Sequence, residues 1–227
     1  LRHYKTSLES SLVIIALLLI SNNLITAMTA VRGDILAAAL NIWGLYFAVT
    51  SGKKHYRIIL SCFFFALTIM TKITSGFGFG AVFLWIFFND KKKHAVIYAF
   101  TFTVLITLFI IIIQVSSDGR FIEIFYNCAA GGASIAKMLK SPFNFINCLK
   151  ATDTGSIVIF TAALTIAVYK GREIIMSQYT LYMASTLAIT VFIFGTEGIV
   201  GNHLIDIHIA SVLVISGFIH EYKIDRP

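Results

Sequence analysis

Long apolar stretches separated by short polar hinges dominate the chain. Runs of about 20 apolar residues have the length that a helix needs to cross the hydrocarbon core of a bilayer. The pattern predicts an all-α fold: a polytopic transmembrane helix bundle of about eight spans. The spans are expected near 12–31, 35–50, 58–70, 77–88, 95–115, 157–169, 179–195 and 203–219. The third, fourth and sixth are short, so flanking polar residues must lengthen them.

One hinge, at about 116–155, is much longer than the others. Because a structureless loop of about forty residues is unusual in a compact domain, we expect it to be partly helical. One or two short helices around Tyr126–Leu139 would lie on the membrane surface or dip into it. No repeat period and no soluble second domain is evident, so residues 1–227 are interpreted as a single transmembrane domain.

Composition supports the membrane assignment. Hydrophobic residues make up 58% of the chain and charged residues 13%, against roughly 25% charged in soluble domains. A soluble protein of this size needs a polar surface that so few charges cannot form. The net charge of +7 comes from basic residues between apolar runs, which favours anionic membrane lipids as partners and argues against nucleic acid.

The distribution of basic residues predicts the orientation in the cell membrane. With the N-terminus in the cytoplasm, twelve of the 18 Lys and Arg residues fall in inner segments and the remaining six in outer ones. Cytoplasmic loops carry the excess of positive charge in membrane proteins. We therefore expect a multi-pass protein with both ends of the chain in the cytoplasm. Because the first residue is leucine, the chain is expected to be a piece of a longer protein.

Charged groups near membrane depth are costly and are functional candidates by default. Arg32 and Asp34 flank Gly33 between the first two spans; they form either a plain turn or a cation and carboxylate at the mouth of a cavity. Lys72 ends the third span on the same predicted outer side. It is either an anchor that reaches the interface or a point charge for a phosphate group. The outer basic residues Arg32, Lys72, Lys137 and Lys140 would form a basic rim.

The densest polar group precedes and opens the last span. It comprises Glu197, Asn202, His203, Asp206 and His208. On a helix, residues three or four apart are neighbours, so Asp206 lies beside both Asn202 and His203, while His208 points elsewhere. A zinc site needs at least three convergent ligands, so a hydrogen-bonding cluster is the favoured interpretation. No metal or other cofactor is assigned, although a divalent cation is left open.

The three cysteines have no metal-binding spacing. Cys62 lies within an apolar run and is interpreted as a small core residue. Cys128 and Cys148 share the long hinge; they form a disulfide if that hinge faces an oxidising compartment, and otherwise remain two thiols.

Three short segments together resemble the GT-C superfamily of polytopic glycosyltransferases, which includes protein mannosyltransferases and aminoarabinose transferases. The segment Val31–Asp34, followed by an Ala/Leu-rich helix, is similar to an Arg-x-Asp turn in that superfamily. Ala66–Lys72 is similar to a span ending A-x-x-T-K. Gly201–Asp206 is similar to the N-[YH]-L-x-[ED] entrance of a late span. Gly33 departs from the more usual proline.

The resemblance implies a sugar transfer at the outer face of the membrane. The donor would be a polyprenyl-phosphate-linked sugar, and the acceptor a glycan, lipid or protein. Asp34 would be a second acidic group of the catalytic site, because the family's main catalytic carboxylate lies in an earlier outer loop. Arg32 and Lys72 would contact phosphate, while Asn202, His203 and Asp206 would line the sugar or acceptor site. Glu197, Lys137 and Lys140 are further candidates for substrate binding.

Two other interpretations stay open. A multi-pass transporter or flippase of a lipid-linked or small anionic solute would also present charges at one face, although transporters often show internal repeats that this chain lacks. A non-catalytic membrane subunit would make the polar clusters incidental.

Overall fold

A computed structural model describes residues 8–29, 33–52, 54–90, 92–129, 135–171, 176–195 and 201–224. Within these ranges every regular element is helical, which confirms the all-α fold class. The helices are α1 (Leu8–Leu18), α2 (Asn22–Thr29), α3 (Gly33–Val49), α4 (His55–Thr71), α5 (Phe77–Asn89), α6 (Lys92–Ser116), α7 (Arg120–Ala129), α8 (Ile135–Thr152), α9 (Thr154–Lys170), α10 (Gln178–Ile193) and α11 (Leu204–Ile224). Two 3-10 turns, Ile73–Ser75 and Gly201–His203, precede α5 and α11.

Two of the described helical segments are long and apolar enough to cross a membrane. They are Lys92–Ser116, with mean hydropathy 2.8, and Gly201–His220, with mean hydropathy 1.6. The bent pair α1–α2 would be a third if it forms one span. Five further apolar segments have 10–17 residues, which is at or below the lower limit for a straight crossing of the hydrocarbon core.

The first predicted span is broken. The axes of α1 and α2 differ by 82° across a short break. At the break, the Ser21 hydroxyl oxygen accepts a hydrogen bond from the Leu24 N–H at 3.2 Å, which makes Ser21 the N-cap of a new helix. Serine is among the preferred N-cap residues because its side chain satisfies an orphan N–H of the first turn. In the sequence, the interruption falls at the polar triplet Ser21–Asn23 within residues 12–31.

The core forms where neighbouring helices pack side by side, antiparallel in most pairs and parallel for α9 and α11. Helix α3 packs on α4, α5 on α10, and α11 on both α9 and α10. Phe65, Phe77 and Tyr98 are almost fully buried, as is Tyr182. The rings of Phe77 and Tyr182 meet edge to face at 5.4 Å, a favourable arrangement of aromatic quadrupoles.

Three contacts define one end of the bundle, called here the basic end. Arg57 donates to the Thr50 carbonyl at 2.6 Å, and Asn89 donates to the Met176 carbonyl at 3.1 Å. The Lys170 ammonium lies 5.4 Å from the centre of the Phe218 ring. The opposite end contains the N-termini of α3, α9 and α11 and the C-terminus of α4.

The long hinge is helical, as predicted. Helices α7 and α8 fill most of it, although residues 130–134 lie outside the described ranges. The Ser141 hydroxyl donates to the Val191 carbonyl, and Asn144 donates to the Phe194 carbonyl at 3.2 Å. These bonds fasten α8 to the C-terminal end of α10, away from the basic end.

Close helix packing depends on Gly78 in α5. A Cβ atom at this position would collide with the Asn41 Oδ1 atom and the Phe65 ring, whereas a Cβ at Gly80 would meet nothing within 4 Å. We therefore expect Gly78→Ala to lower the free energy of unfolding in detergent by about 1–3 kcal/mol, the usual cost of overpacking. Gly80→Ala is the matched control and should leave stability unchanged or slightly raised. Equal effects of the two substitutions would contradict this packing.

Candidate functional site

Residues from three distant segments meet at the end opposite the basic end. The Lys72 Nζ atom lies 2.8 Å from Asp34 Oδ1 and 3.3 Å from Asp206 Oδ2. The Asn202 side-chain amide donates to Asp34 Oδ1 at 3.2 Å and Oδ2 at 3.1 Å. We call Asp34, Lys72, Asn202 and Asp206 the ionic cluster.

Helix ends set the positions of the charged members. Asp34 and Asp206 lie in the first turns of α3 and α11, where the helix dipole favours negative charge. Lys72 directly follows α4, where the dipole favours positive charge, and its backbone is extended (φ −152°, ψ 103°). The extended backbone turns the chain from α4 into the 3-10 turn Ile73–Ser75. Each charge therefore complements its own helix as well as its partner.

The cluster is largely removed from solvent. The side chains of Lys72, Asp34 and Asp206 are 12%, 10% and 8% exposed. One ammonium group faces two carboxylates, so the ionised trio carries a net charge of −1. A partly buried trio depends strongly on its cation, because an unpaired carboxylate in a poorly solvated site is costly. His203, in the adjacent 3-10 turn, is close enough to interact electrostatically with Lys72 and Asp34.

The cluster retains unused hydrogen-bonding capacity. An ammonium group has three N–H donors, and the described residues take two of those of Lys72. The Asn202 Oδ1 atom is buried and has no partner among the described residues, although its amide nitrogen is engaged by Asp34. The arrangement therefore leaves one N–H donor of Lys72 and one buried amide acceptor of Asn202 unused by the described residues, beside a carboxylate held in a fixed orientation.

The other predicted site residues are placed differently. Arg32 and Glu197 lie outside the described residues. Lys137 is half-buried and Lys140 is exposed, both near the start of α8. The ion pairs described for the cluster do not include either lysine. The basic rim of Arg32, Lys72, Lys137 and Lys140 therefore stays a prediction.

A second buried network lies at the break between α1 and α2. The Ser21 hydroxyl donates to Asp153 Oδ2, which also accepts the Asn23 N–H at 3.3 Å. Asp153 Oδ1 accepts the Ser156 N–H at 3.1 Å and so caps α9. Two hydrogen bonds extend the network to His208. The first joins Ser156 Oγ to His208 Nδ1 at 2.9 Å, and the second joins His208 Nε2 to the Leu17 carbonyl at 3.0 Å.

Chemical constraints fix the direction of these bonds. The Leu17 carbonyl can only accept, so His208 Nε2 carries a proton; with a neutral ring, the Ser156 hydroxyl donates to Nδ1. Burial raises the pKa of Asp153, but hydrogen bonds from Ser21, Ser156 and Asn23 outweigh it and hold the pKa below its usual value. Asp153 therefore caps α9 in its ionised form. This network fastens the broken helix to α9 and α11.

Sequence reasoning missed Asp153, Ser156 and His208 as partners. The signal present in the chain is the segment Asp153–Ser156, an N-cap aspartate whose carboxylate binds the N–H three residues later. Nothing in the sequence indicates that the same carboxylate also binds Ser21, because the two positions are 132 residues apart.

No group of three or more His, Cys, Asp or Glu side chains with the spacing of a metal site occurs in the described part of the chain. Cys62 is buried. The side chain of Cys128 lies outside the described residues, so the two alternatives for Cys128 and Cys148, a disulfide or two thiols, both stay open.

The ionic cluster makes Lys72 important for stability. Lys72→Met should lower the free energy of unfolding by about 3–5 kcal/mol, because it leaves two poorly solvated carboxylates without their cation. The measurement is denaturant unfolding in detergent at neutral pH. Lys93→Met is the matched control, since Lys93 is exposed in the first turn of α6.

A second variant separates loss of charge from loss of packing. Adding Asp206→Asn to Lys72→Met removes one of the two uncompensated carboxylates, so the double variant should be more stable than Lys72→Met alone. A double variant that is less stable than Lys72→Met, or a Lys72→Met protein as stable as Lys93→Met, would contradict the described ion pairs.

The distances and burial above provide the structural basis for a functional assignment. No protein family, curated protein or solved structure compared with this chain matches it. A function must therefore be inferred from the chain's own residues and their geometry.

Proposed function

We propose that this chain forms part of a membrane-embedded glycosyltransferase that moves a sugar from a polyprenyl-phosphate donor to an acceptor at the outer face of the membrane. The main observation that supports this proposal is the ionic cluster. The three segments whose motifs resemble the GT-C superfamily supply Asp34, Lys72, Asn202 and Asp206 to one site, through contacts of 2.8–3.3 Å. These segments are far apart in sequence, so their convergence supports a shared role.

Lys72 is proposed to bind the donor phosphate. Two of its N–H groups face the carboxylates of Asp34 and Asp206. The third N–H can donate a charge-assisted hydrogen bond to a phosphate oxygen. Because the ionised trio has a net negative charge, an anionic donor needs a further cation. Arg32, two residues before Asp34, is the proposed source, and Lys137 and Lys140 would attract the donor from the surrounding surface.

Asp34 and Asn202 are proposed to orient the reacting groups. Asn202 and Lys72 hold the Asp34 carboxylate, and the free Asn202 Oδ1 can accept a sugar or acceptor hydroxyl. In the reaction, the acceptor oxygen or nitrogen forms a bond to the anomeric carbon. The bond from that carbon to the phosphate oxygen breaks, and its electron pair leaves with polyprenyl phosphate. The proton of the acceptor passes to a carboxylate base.

Asp34 is proposed as a second acid in this site, as the resemblance to the GT-C superfamily implies. His203 and Asp206 would lie beside the sugar or the acceptor, and Glu197 would contribute from the segment before them. Lys72 would link phosphate binding to the catalytic groups, because the same ammonium group also holds the carboxylates of Asp34 and Asp206 in place.

The proposed topology has eight spans with the basic end in the cytoplasm. Basic residues lie at or beside the helix ends there, in accord with the excess of positive charge on the cytoplasmic side of membrane proteins; they are Lys54, Arg57, Lys92, Lys93 and Lys170. The ionic cluster would then face the opposite side, where a lipid-linked sugar is used. Helices shorter than a full crossing would be extended by their flanking polar residues.

One observation favours a transporter as the second candidate. The α1–α2 pair bends by 82° at a polar break, and discontinuous helices often form the binding sites of transporters. However, described side chains already bind several polar groups at this break, since His208 donates to the Leu17 carbonyl and Asp153 accepts the N–H groups of Asn23 and Ser156. The break therefore leaves fewer hydrogen-bonding groups available to a solute than the ionic cluster leaves available to a phosphate.

A binding assay tests the proposal. The probe is polyprenyl phosphate labelled with radioactive phosphorus, presented in nanodiscs to the protein in its full-length form. Lys72→Gln should weaken binding at least tenfold, the factor that corresponds to losing about 1.4 kcal/mol of a charge-assisted contact. Lys93→Gln, which changes a basic-end lysine, is the matched control and should bind as the unaltered protein does.

Turnover is measured with tritiated hexose or pentose on the same carrier. Asp34→Asn should lower transfer more than it lowers donor binding, because the carboxylate is assigned to the reaction. If the unaltered protein does not bind the donor but takes up a small anion into vesicles, the transporter interpretation is correct and the glycosyltransferase proposal is wrong. Unchanged affinity in Lys72→Gln would remove Lys72 from the phosphate site.

A further inference from the structure

The helices of the long hinge present apolar faces that no described protein surface covers. In α7, Ile122, Ile124 and Tyr126 are 55%, 58% and 72% exposed. With 3.6 residues per turn, these side chains share one broad face of α7 with Phe121 and Phe125, while Arg120, Glu123 and Asn127 lie on the other. An exposed apolar face on an otherwise polar helix marks an interaction surface.

Helix α8 has three faces. One face packs into the core through Ser141, Phe145 and Leu149, which are buried. A second face is apolar and exposed, with Leu139 and Phe143 at 74% and 72% and Ile146 beside them, and it ends at the exposed Lys150 in the last turn. The third face is polar and exposed through Lys140 and Asn147. The helix thus separates a protein side, an apolar side and a polar side.

A rigid joint fixes α7 against the end of α6. The Gln114 side chain donates to the Gly119 carbonyl at 2.5 Å and accepts the Ile122 N–H at 3.0 Å. The Ser117 hydroxyl oxygen accepts the Phe121 N–H at 3.1 Å. Asp118 and Gly119 have φ values of 51° and 82°, the left-handed region that reverses the chain direction. The direction of α7 is therefore set by bonds to α6.

Helix α7 follows directly after α6, whose surface is also apolar and exposed. Helix α6 is one of the two described segments able to cross a membrane, and its side chains Phe100, Ile111 and Val115 are exposed. A helix of this hydropathy with so much exposed apolar surface requires lipid around it. Because α7 begins four residues after α6 ends, it lies where that helix leaves the hydrocarbon core.

We infer that α7 and α8 form an interfacial layer seated in the leaflet on the side of the ionic cluster. Their exposed apolar faces contact acyl chains, and Glu123, Asn127, Lys140 and Asn147 face the headgroups. Amphipathic helices with this division lie in the plane of the interface. The layer also touches the 3-10 turn that carries Asn202, through contacts of α8. This inference is independent of the proposed function, because it rests on α6, α7 and α8 alone.

Spin labelling tests the inference. The full chain, with Cys62, Cys128 and Cys148 changed to Ser, carries one nitroxide at a time on Ile122→Cys, Phe143→Cys, Glu123→Cys or Asn147→Cys. Each protein is placed in vesicles of zwitterionic and anionic phospholipid. Collision rates with oxygen, which concentrates in the acyl region, and with a water-soluble nickel chelate are then measured.

Labels at Ile122 and Phe143 should collide more with oxygen than with nickel, and the ratio should invert at Glu123 and Asn147. Preferential nickel collisions at all four positions would place the layer in water. Protection of Ile122 and Phe143 from both reagents would show that a protein partner or a second copy covers the faces. Either result would overturn the lipid assignment. Elution of each labelled protein as the unlabelled one does serves as the folding check.

Discussion

One ammonium group between two carboxylates organises the end of the bundle at which the candidate site lies. Lys72 connects the start of α3 to the start of α11 through Asp34 and Asp206. In a poorly solvated region, removing that cation would leave two carboxylates without a counter-charge. The same ion pairs therefore order three helix ends and bring together a carboxylate, a cation and an amide with a free acceptor. Both the stability of this end of the bundle and the proposed chemistry therefore depend on the ion pairs of Lys72.

The second network complements the first by controlling a helix break. Asp153 and His208 satisfy polar groups that the interruption of α1–α2 exposes, which is necessary where water is scarce. His208 lies two residues beyond Asp206 on α11. The position of α11 is thus fixed from one side by the broken helix and from the other by Lys72, so the two polar networks jointly determine where Asn202 and Asp206 lie.

Much of the fold was predictable because apolar runs directly encode buried or lipid-facing helices. The long hinge was predictable as helical from its length and composition, and α7 and α8 confirm it. The break at Ser21 was not, because the polar triplet Ser21–Asn23 is also compatible with a continuous span, and its partner Asp153 is far away in the sequence. The number of spans stays a prediction, since most of the described helices are shorter than a full crossing.

For the site, local sequence identified the candidates but not their partners. Asp34, Lys72, Asn202 and Asp206 were selected because charges near membrane depth are costly, yet pairing across 134 and 168 residues depends on the tertiary fold. The most direct test of that convergence is cross-linking of Asp34→Cys with Asn202→Cys in a protein whose native cysteines are Ser. Oxidation in membranes should join the pair rapidly, whereas Lys93→Cys with Asn202→Cys should stay unjoined. Failure of the first pair to cross-link, although each cysteine alone reacts with a maleimide, would contradict the ionic cluster.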